Sequence, residues 1–380
     1  MNTWYRMESL RRYMKNKGIT AVLVSDPAHQ FYLSGFKALI YSRPILLIMD
    51  SEQTGLIVPG LEEVHARREA YVDQILVYYE HPNGNEVVTS PFALIADFLK
   101  RYPEGSTIGV DFSTTPANLT ALIRDKGFDL QDIGEKLFRM RYVKDAEEIR
   151  LMEQAGELVN VAVSETLKAC RPGVTEIEID AKGNAALFEE TSRRFPDATL
   201  DFLVMSPSGV ERSVMPHVFS NTRVLQHGDV LIHSRQVSLN GYRAELERTV
   251  ILGEPTAEQR KAFQAAIDAQ QAALEAIKPG ITAAEVDRVA REWIEKAGYG
   301  EFFIHRTGHG IGISPHEKPY LRFDNDLVLQ EGMAFTIEPG IYIPGVGGFR
   351  HSDTVILIAD GSRLITDYPR DMERLILKEN

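Results

Sequence analysis

The chain has a single cysteine, Cys170, in 380 residues. No intrachain disulfide can form, and the implied compartment is a reducing cytoplasm. No apolar run approaches the roughly 20 residues that a bilayer-spanning helix needs. The N-terminal MNTWYRMESLRRYMKNKG lacks a continuous apolar core and reads as an amphipathic helix, not a signal peptide. GxGxxG and GxxxxGK[ST] are both missing, so nucleotide binding has no support. Positive charge is in deficit: 42 Lys and Arg stand against 54 Asp and Glu, a net charge of −12. That disfavours nucleic acid or an anionic membrane as a partner. Low-complexity tracts and short-period repeats are absent. The remainder, 44% hydrophobic and 25% charged, is ordinary for a globular protein long enough for two domains.

Along residues 1–140, short apolar runs alternate with helical stretches. ITAVLVSD, PILLIMD, TGLIVPG, QILVYY and STIGVDF are rich in β-branched residues and bounded by Asp, Pro or Gly, which predicts strands. PFALIADFLKRY between two of them predicts a helix. This pattern implies a smaller α/β domain with a mixed sheet. Residues 141–380 change character. Four pairs, Asp145/Glu148, Thr175/Glu178, Thr256/Gln259 and Thr282/Glu285, have the spacing of a capping box and predict helix starts. Strand-like runs lie apart from these helices: LDFLVMS, DVLIHSRQVSLN, GYRAELERTVILG, MAFTIEPGIYI and DTVILIA. Segregated helices and strands predict an α+β domain, with helices outside a curved antiparallel sheet.

Two segments carry the chemistry. Residues 305–320 read HRTGHGIGISPHEKPY, and residues 336–357 read TIEPGIYIPGVGGFRHSDTVIL. They place His309, His316, Glu338 and Arg350 among glycines, which tolerate close backbone approach and positive φ. Histidines and acids set together in such turns suit a buried reaction site better than a surface loop.

These segments resemble the creatinase/prolidase family, the "pita-bread" enzymes of the peptidase M24 type, with mixed likeness to creatinase and to Xaa-Pro dipeptidase and aminopeptidase P. The likeness covers most of the chain and is strongest over residues 200–370. Metallopeptidases of that family hold two metal ions on Asp, Asp, His, Glu and Glu. The matching positions here are Ser234, Glu245, His309, Glu338 and Ser352. With serine at two of five, the expectation is that no dinuclear centre assembles. Neutral hydroxyls replace bridging carboxylates poorly. His233 and His351 neighbour the serines, but adjacent strand residues point to opposite faces.

The resemblance to creatinase, a family member that works without metal, implies further roles. Glu247 lies two residues past Glu245, on the same strand face. With Glu245 and Glu338 it would hold a cationic group. His217 in MPHVFSNTR would be the general base and acid, a task suited to imidazole near neutral pH. His316 would contact substrate near the scissile bond. Arg43, in Tyr41-Ser42-Arg43-Pro44, and Arg322 match arginines that bind a substrate carboxylate, one of them across a dimer. Arg350 is expected to bind substrate. The bland alternatives give Glu247 to a salt bridge with Arg248 or Arg243, and Arg43 to a surface loop.

The expectation is therefore a cytoplasmic, homodimeric hydrolase that cleaves a C–N bond in a small amino-acid-derived carboxylate, without cofactor. The N-terminal domain of one chain would contribute to its neighbour's site. The alternative is an Xaa-Pro peptidase with one divalent ion (Mn, Zn, Co or Fe) on Glu245, His309 and Glu338. An inactive pita-bread module used for binding is the reading from another class.

Overall fold

A computed structural model describes residues 2–39, 42–82 and 87–378. The chain divides into two compact units, Met1–Arg141 and Tyr142–Asn380.

The first unit is built on six strands: β1 (Ala21–Val24), β2 (Leu46–Asp50), β3 (Thr54–Pro59), β4 (Gln74–Tyr78), β5 (Thr107–Val110) and β6 (Asp129–Asp132). Their order is β4-β3-β2-β1-β5-β6. The β1–β2 and β2–β3 pairs are antiparallel and the others parallel, so the sheet is mixed. Helices Thr3–Lys17 and Pro91–Leu99 form where the sequence predicts them. Five of the six strands are the apolar runs named above. The sixth, Asp-Leu-Gln-Asp, has no apolar run to reveal it. It forms because β5 presents a free edge that a short polar strand can pair with and blunt.

The second unit contains β7 (Leu200–Met205), β8 (Val230–Leu239), β9 (Tyr242–Leu252), β10 (Gly308–Gly310), β11 (Glu317–Leu321), β12 (Ala334–Ile337), β13 (Gly340–Ile343), β14 (Gly347–Arg350), β15 (Ser352–Ile358), β16 (Gly361–Leu364) and β17 (Ile376–Leu377). The main sheet runs β11-β10-β12-β15-β9-β8-β7, with β16 on β15 and β17 on β9. Its pairs are antiparallel except β17–β9. The β13–β14 pair stands apart as a hairpin. This is the curled antiparallel sheet expected from segregated strands and helices.

The helices beside the sheet start at the predicted places. Ala146–Ala169, Glu176–Arg194, Ala257–Ala276 and Ala283–Lys296 each open on a complete capping box. Reciprocal capping satisfies two orphan N–H groups at each helix start. Packing is close enough to dictate residue size. A side chain at Gly156, in the first of these helices, would stand 2.0 Å from the Ile365 carbonyl oxygen. Cys170 is buried, and burial pushes its thiol pKa up.

Thr256→Ala is expected to lower stability by about 1 kcal/mol, the usual cost of losing a cap. Gly156→Ala should lower it by ~1–3 kcal/mol through overpacking against a backbone atom that cannot swing away. Urea unfolding midpoints at unchanged slope measure both.

Candidate active site

Turn chemistry sets the register on which the site depends. Asn240 and Gly241 adopt φ of 48° and 90°, the positive pair that a two-residue hairpin turn requires. Leu239 therefore faces Tyr242, and the ladder places Gln236 opposite Glu245 and Ser234 opposite Glu247. On the other side of β9, Ser352 of β15 also faces Glu247. With a side-chain period of two, Ser234, Gln236, Glu245, Glu247 and Ser352 share one face.

Glu247 thus lies between the two serines. The family pattern has carboxylates at 234 and 352; this chain has one at 247, in the row between them. Glu245 and Glu247 are buried, and Glu338 joins them from the break between β12 and β13. One oxygen from each of these three carboxylates falls within 4.8 Å of the others.

Such a cluster needs compensation. Arg350 supplies a buried guanidinium, 2.5 and 2.7 Å from the two Glu247 oxygens. Burial opposes its charge, but Glu247, Tyr342 and Glu338 together outweigh that and hold its pKa well above the ordinary value. Glu245 accepts from Ser352 Oγ at 2.7 Å and from Gln236 Nε2 at 2.6 Å. Burial still raises the Glu245 pKa despite these donors. Glu338 is raised furthest, by burial and then by Glu245 and Glu247. The Glu247–Arg350 pair replaces both bland partners for Glu247. Arg248 is bound to Asp353 and Arg243 to Asp201. Arg350 itself lines the cavity described below, with its fork turned to Glu247 and Tyr342.

His309 faces this cluster from β10. Its Nδ1 donates to the Gly310 carbonyl at 2.9 Å, which leaves a lone pair on Nε2. That atom is buried without a hydrogen-bond partner, 3.3 Å from Glu338 and 3.9 Å from Glu245. Burial lowers the His309 pKa to about 3. A lone pair aimed at carboxylate oxygens suits a cation: Glu245, His309 and His316 bring one ligand atom each within 4.8 Å of one another, and Glu338 lies beside His309 Nε2. The glycines beside His309 permit close packing: a side chain at Gly308 would meet the Thr336 carbonyl oxygen at 1.9 Å. Neither Gly308 nor Gly310 has positive φ, so here glycine provides room, not unusual backbone geometry.

A cavity of about 270 Å³ opens onto these acids, lined also by His217, His316, Leu203, Met205 and Phe219. The loop carrying His217 is held by two acids one turn apart on helix Glu176–Arg194. Glu176 accepts from Ser208 N at 2.8 Å and Asn221 N at 2.9 Å and pairs with Arg212. Asp180 accepts from Ser206 Oγ at 2.6 Å and Ser220 Oγ at 2.5 Å. Burial, then Arg350, lowers the His217 pKa, so its imidazole is neutral near pH 7. His316 stacks on His309 with ring centroids 3.9 Å apart, and lies 6.5 Å from His217. Burial, then His309, lowers its pKa to about 3. His233 and His351 point away from the site: His233 Nδ1 meets Ser206 at 2.8 Å, and His351 packs on Phe263.

Two expected substrate arginines are placed elsewhere. Arg322 is half exposed, pairs with Asp324 at 2.9 Å, and does not line this cavity. Arg43 belongs to the first unit and pairs with Glu80 at 2.9 Å; Tyr41 lies outside the described residues. Sequence reasoning passed over Gln236, Tyr342 and Arg306. Tyr342 OH accepts from Arg350 at 3.2 Å and meets His305 Nε2 at 2.9 Å. Its signal was the spacing of four from Glu338. Arg306, three residues before His309, had no signal beyond being in the same glycine-rich segment.

The profile of metallopeptidase family M24 matches residues 150–359, and that of the creatinase/prolidase N-terminal domain matches residues 6–143. The chain belongs to metallopeptidase family M24. It is thereby a hydrolase acting on C–N bonds. It is 31% identical over 379 residues to an Xaa-Pro dipeptidase of Lactobacillus delbrueckii, covering 98% of this chain and 100% of the relative. An Xaa-Pro dipeptidase of Pyrococcus furiosus is 30% identical over 369 residues, covering 97% and 99%. The crystal structure of an X-Pro aminopeptidase from Thermotoga maritima superposes with a TM-score of 0.83 at 30% identity, covering 98% and 99%. These likenesses shift the balance from the creatinase-like reading to the peptidase one. No helix among the described residues is long and apolar enough to cross a membrane.

Arg350→Met is expected to destabilise this M24 protein by ~3–5 kcal/mol, since it strands a buried carboxylate. Glu247→Met combined with it should recover most of that loss. A double-mutant cycle by urea unfolding measures the coupling; additive losses would contradict the pairing.

Proposed function

We propose that the chain is a dipeptidase of the Xaa-Pro type working with one divalent ion, not two. The observation that carries this is the buried, unpartnered His309 Nε2 facing Glu338 and Glu245. Charge agrees with it. Three ionised carboxylates against the Arg350 guanidinium leave two negative charges, which one divalent ion neutralises. Glu245, His309 and Glu338 would hold the ion, with Mn, Zn, Co and Fe as candidates. Serine at 234 and 352 removes the bridging carboxylates a second would need.

Such an ion, when bound, polarises a carbonyl and acidifies water. The chain's own groups do the remaining work. His217 is neutral and reaches the cavity from a clamped loop, where it can donate to or accept from the scissile amide. His316 keeps its Nδ1 lone pair directed at Arg306 (3.1 Å), so its proton sits on Nε2, which can donate to the substrate. Leu203, Met205 and Phe219 give the cavity an apolar wall suited to a small side chain.

The relatives named above are Xaa-Pro peptidases, and this supports the substrate class. A homodimer, with Arg43 of one chain reaching its partner's site, stays part of the proposal. Arg43 has an exposed acid as its partner and is available for exchange.

A second reading keeps creatinase-like hydrolysis without metal. One observation favours it: Glu247 already has its cation in Arg350. Glu245 and Glu338 would then hold a cationic nitrogen of the substrate.

Metal analysis of the purified protein should find one divalent ion per chain. Ala-Pro hydrolysis should cease on chelation and return with the ion. Two ions per chain, or full activity in chelator, would overturn the single-ion reading, and the latter outcome would favour the creatinase-like one. His217→Asn should lower kcat/KM by ~10²–10⁴-fold at unchanged ion content.

A further inference from the structure

An imidazole that handles protons has to be held within reach of the reacting atoms. Among the described residues, the ring of His217 makes no hydrogen bond that would do this. Its neighbours Met215 and Phe219 are 44% and 68% exposed, so apolar packing holds the segment only weakly. The position of His217 is therefore inherited from the polar anchors of its loop. One anchor stands three residues on. Ser220 Oγ donates to Asp180 at 2.5 Å and accepts from Ser206 N at 2.8 Å. Ser206 Oγ donates to the other Asp180 oxygen at 2.6 Å. A hydroxyl has one hydrogen, so Ser206 Oγ accepts from His233 Nδ1, 2.8 Å away. Two chains of donors thus converge on one buried carboxylate, and each needs an oxygen that accepts. Burial raises the Asp180 pKa, while Ser206, Ser220 and the charge of Arg235 work against that. Arg235 is fully buried on β8; burial lowers its pKa to about 10, and Asp180 is the acid that opposes this.

We propose that Asp180 is a positioning residue for catalysis: through Ser220 it holds the backbone that carries His217 and Phe219 at the cavity. This rests on the proton-handling role given to His217 above, and it places the control of that role outside the cavity, in the helix layer. Asp180 itself does not line the cavity, whereas His217 and Phe219 do. The two acids of helix Glu176–Arg194 divide the work. Glu176 grips both ends of the loop by backbone N–H groups, at Ser208 and Asn221, which sets its path. Asp180 grips it by two side-chain hydroxyls, so its hold depends on the residues at 206 and 220 and on its own charge. The buried Arg235 and the N–H of His233 supply the surroundings in which that charge persists. Loss of the Ser220 bond frees the segment next to His217 while the strands beneath it stay in register.

The test measures kcat and KM for Ala-Pro with the metal-loaded wild type, Ser220→Ala, Ser220→Thr and Asp180→Asn. Ser220→Ala should lower kcat by about 10–100-fold, the effect of a misplaced catalytic group, and change KM by less than about threefold. Ser220→Thr keeps the hydroxyl and should recover most of that loss. Asp180→Asn keeps the size but turns one acceptor into a donor, and should behave as Ser220→Ala does. Urea midpoints report the fold, and Ser220→Ala, the milder change, decides the outcome if Asp180→Asn unfolds. In a His217→Asn background, Ser220→Ala should cost less than about twofold more, because residues that act as one unit are not additive. Unchanged kcat in Ser220→Ala would overturn the proposal. So would a fully additive loss in the double variant, which would mean that Ser220 does not act through His217. Should wild type fail to cleave Ala-Pro, the peptidase reading falls, and hydrogen exchange tests the anchor by itself. Exchange across residues 213–221 should quicken at least about tenfold in Ser220→Ala while β8 and β9 stay protected. Equal exchange in wild type and variant overturns it.

Discussion

The constraint on which this site depends is the burial of three glutamates within 4.8 Å of one another. Carboxylates so placed cannot all be ionised in isolation, because desolvation and mutual repulsion both oppose charge. Each surrounding group answers that demand. Arg350 neutralises Glu247, Ser352 and Gln236 donate to Glu245, and His309 turns a lone pair toward the remaining space. The buried guanidinium also draws in Tyr342 and, through it, His305. A large part of the polar interior of the second unit is thus organised around one local excess of negative charge.

The exchange of acids explains how the chain departs from the two-ion pattern of its family and still keeps a charged, structured site. Ser234, Glu247 and Ser352 form one row across β8, β9 and β15. Losing carboxylates from both ends of a row and gaining one in the middle changes the charge by one and moves it toward Arg350. The outcome is a row with fewer carboxylates and a fixed internal cation. The neutral imidazoles of His217 and His316 line the cavity beside this row.

The elements were legible where local physics decides them. All four capping boxes could be seen because each is a contact between residues three apart. Strands such as Leu46–Asp50 were visible as apolar runs. The alternation rule also anticipated that His233 and His351 turn away while Glu245 and Glu247 share a face. The polar strand Asp129–Asp132 and the short strand Gly308–Gly310 were not visible. Their residues carry no strand signal, and they exist because a neighbouring edge accepts them. The glycines of the 308–310 segment were read as permitting both close backbone approach and positive φ. What they permit is contact with the Thr336 backbone, which depends on the position of another strand.

By itself, the sequence determined the family, the two-part organisation, the residue types at the site and the missing bridging acids. Those are properties of spacing and identity along the chain. Only the tertiary structure decided the pairings. Arg350 and Glu247 are 103 residues apart and meet through strand register. Arg322 lies eleven residues before Met333 in the linear pattern, yet it sits away from the cavity with Asp324. Arg306, three residues before His309, lies against the Tyr320 ring and His316 Nδ1. Spacing tells which side chains share a strand face. Which charges find each other depends on three-dimensional distance and on burial, and these exist only once the sheet has closed around them.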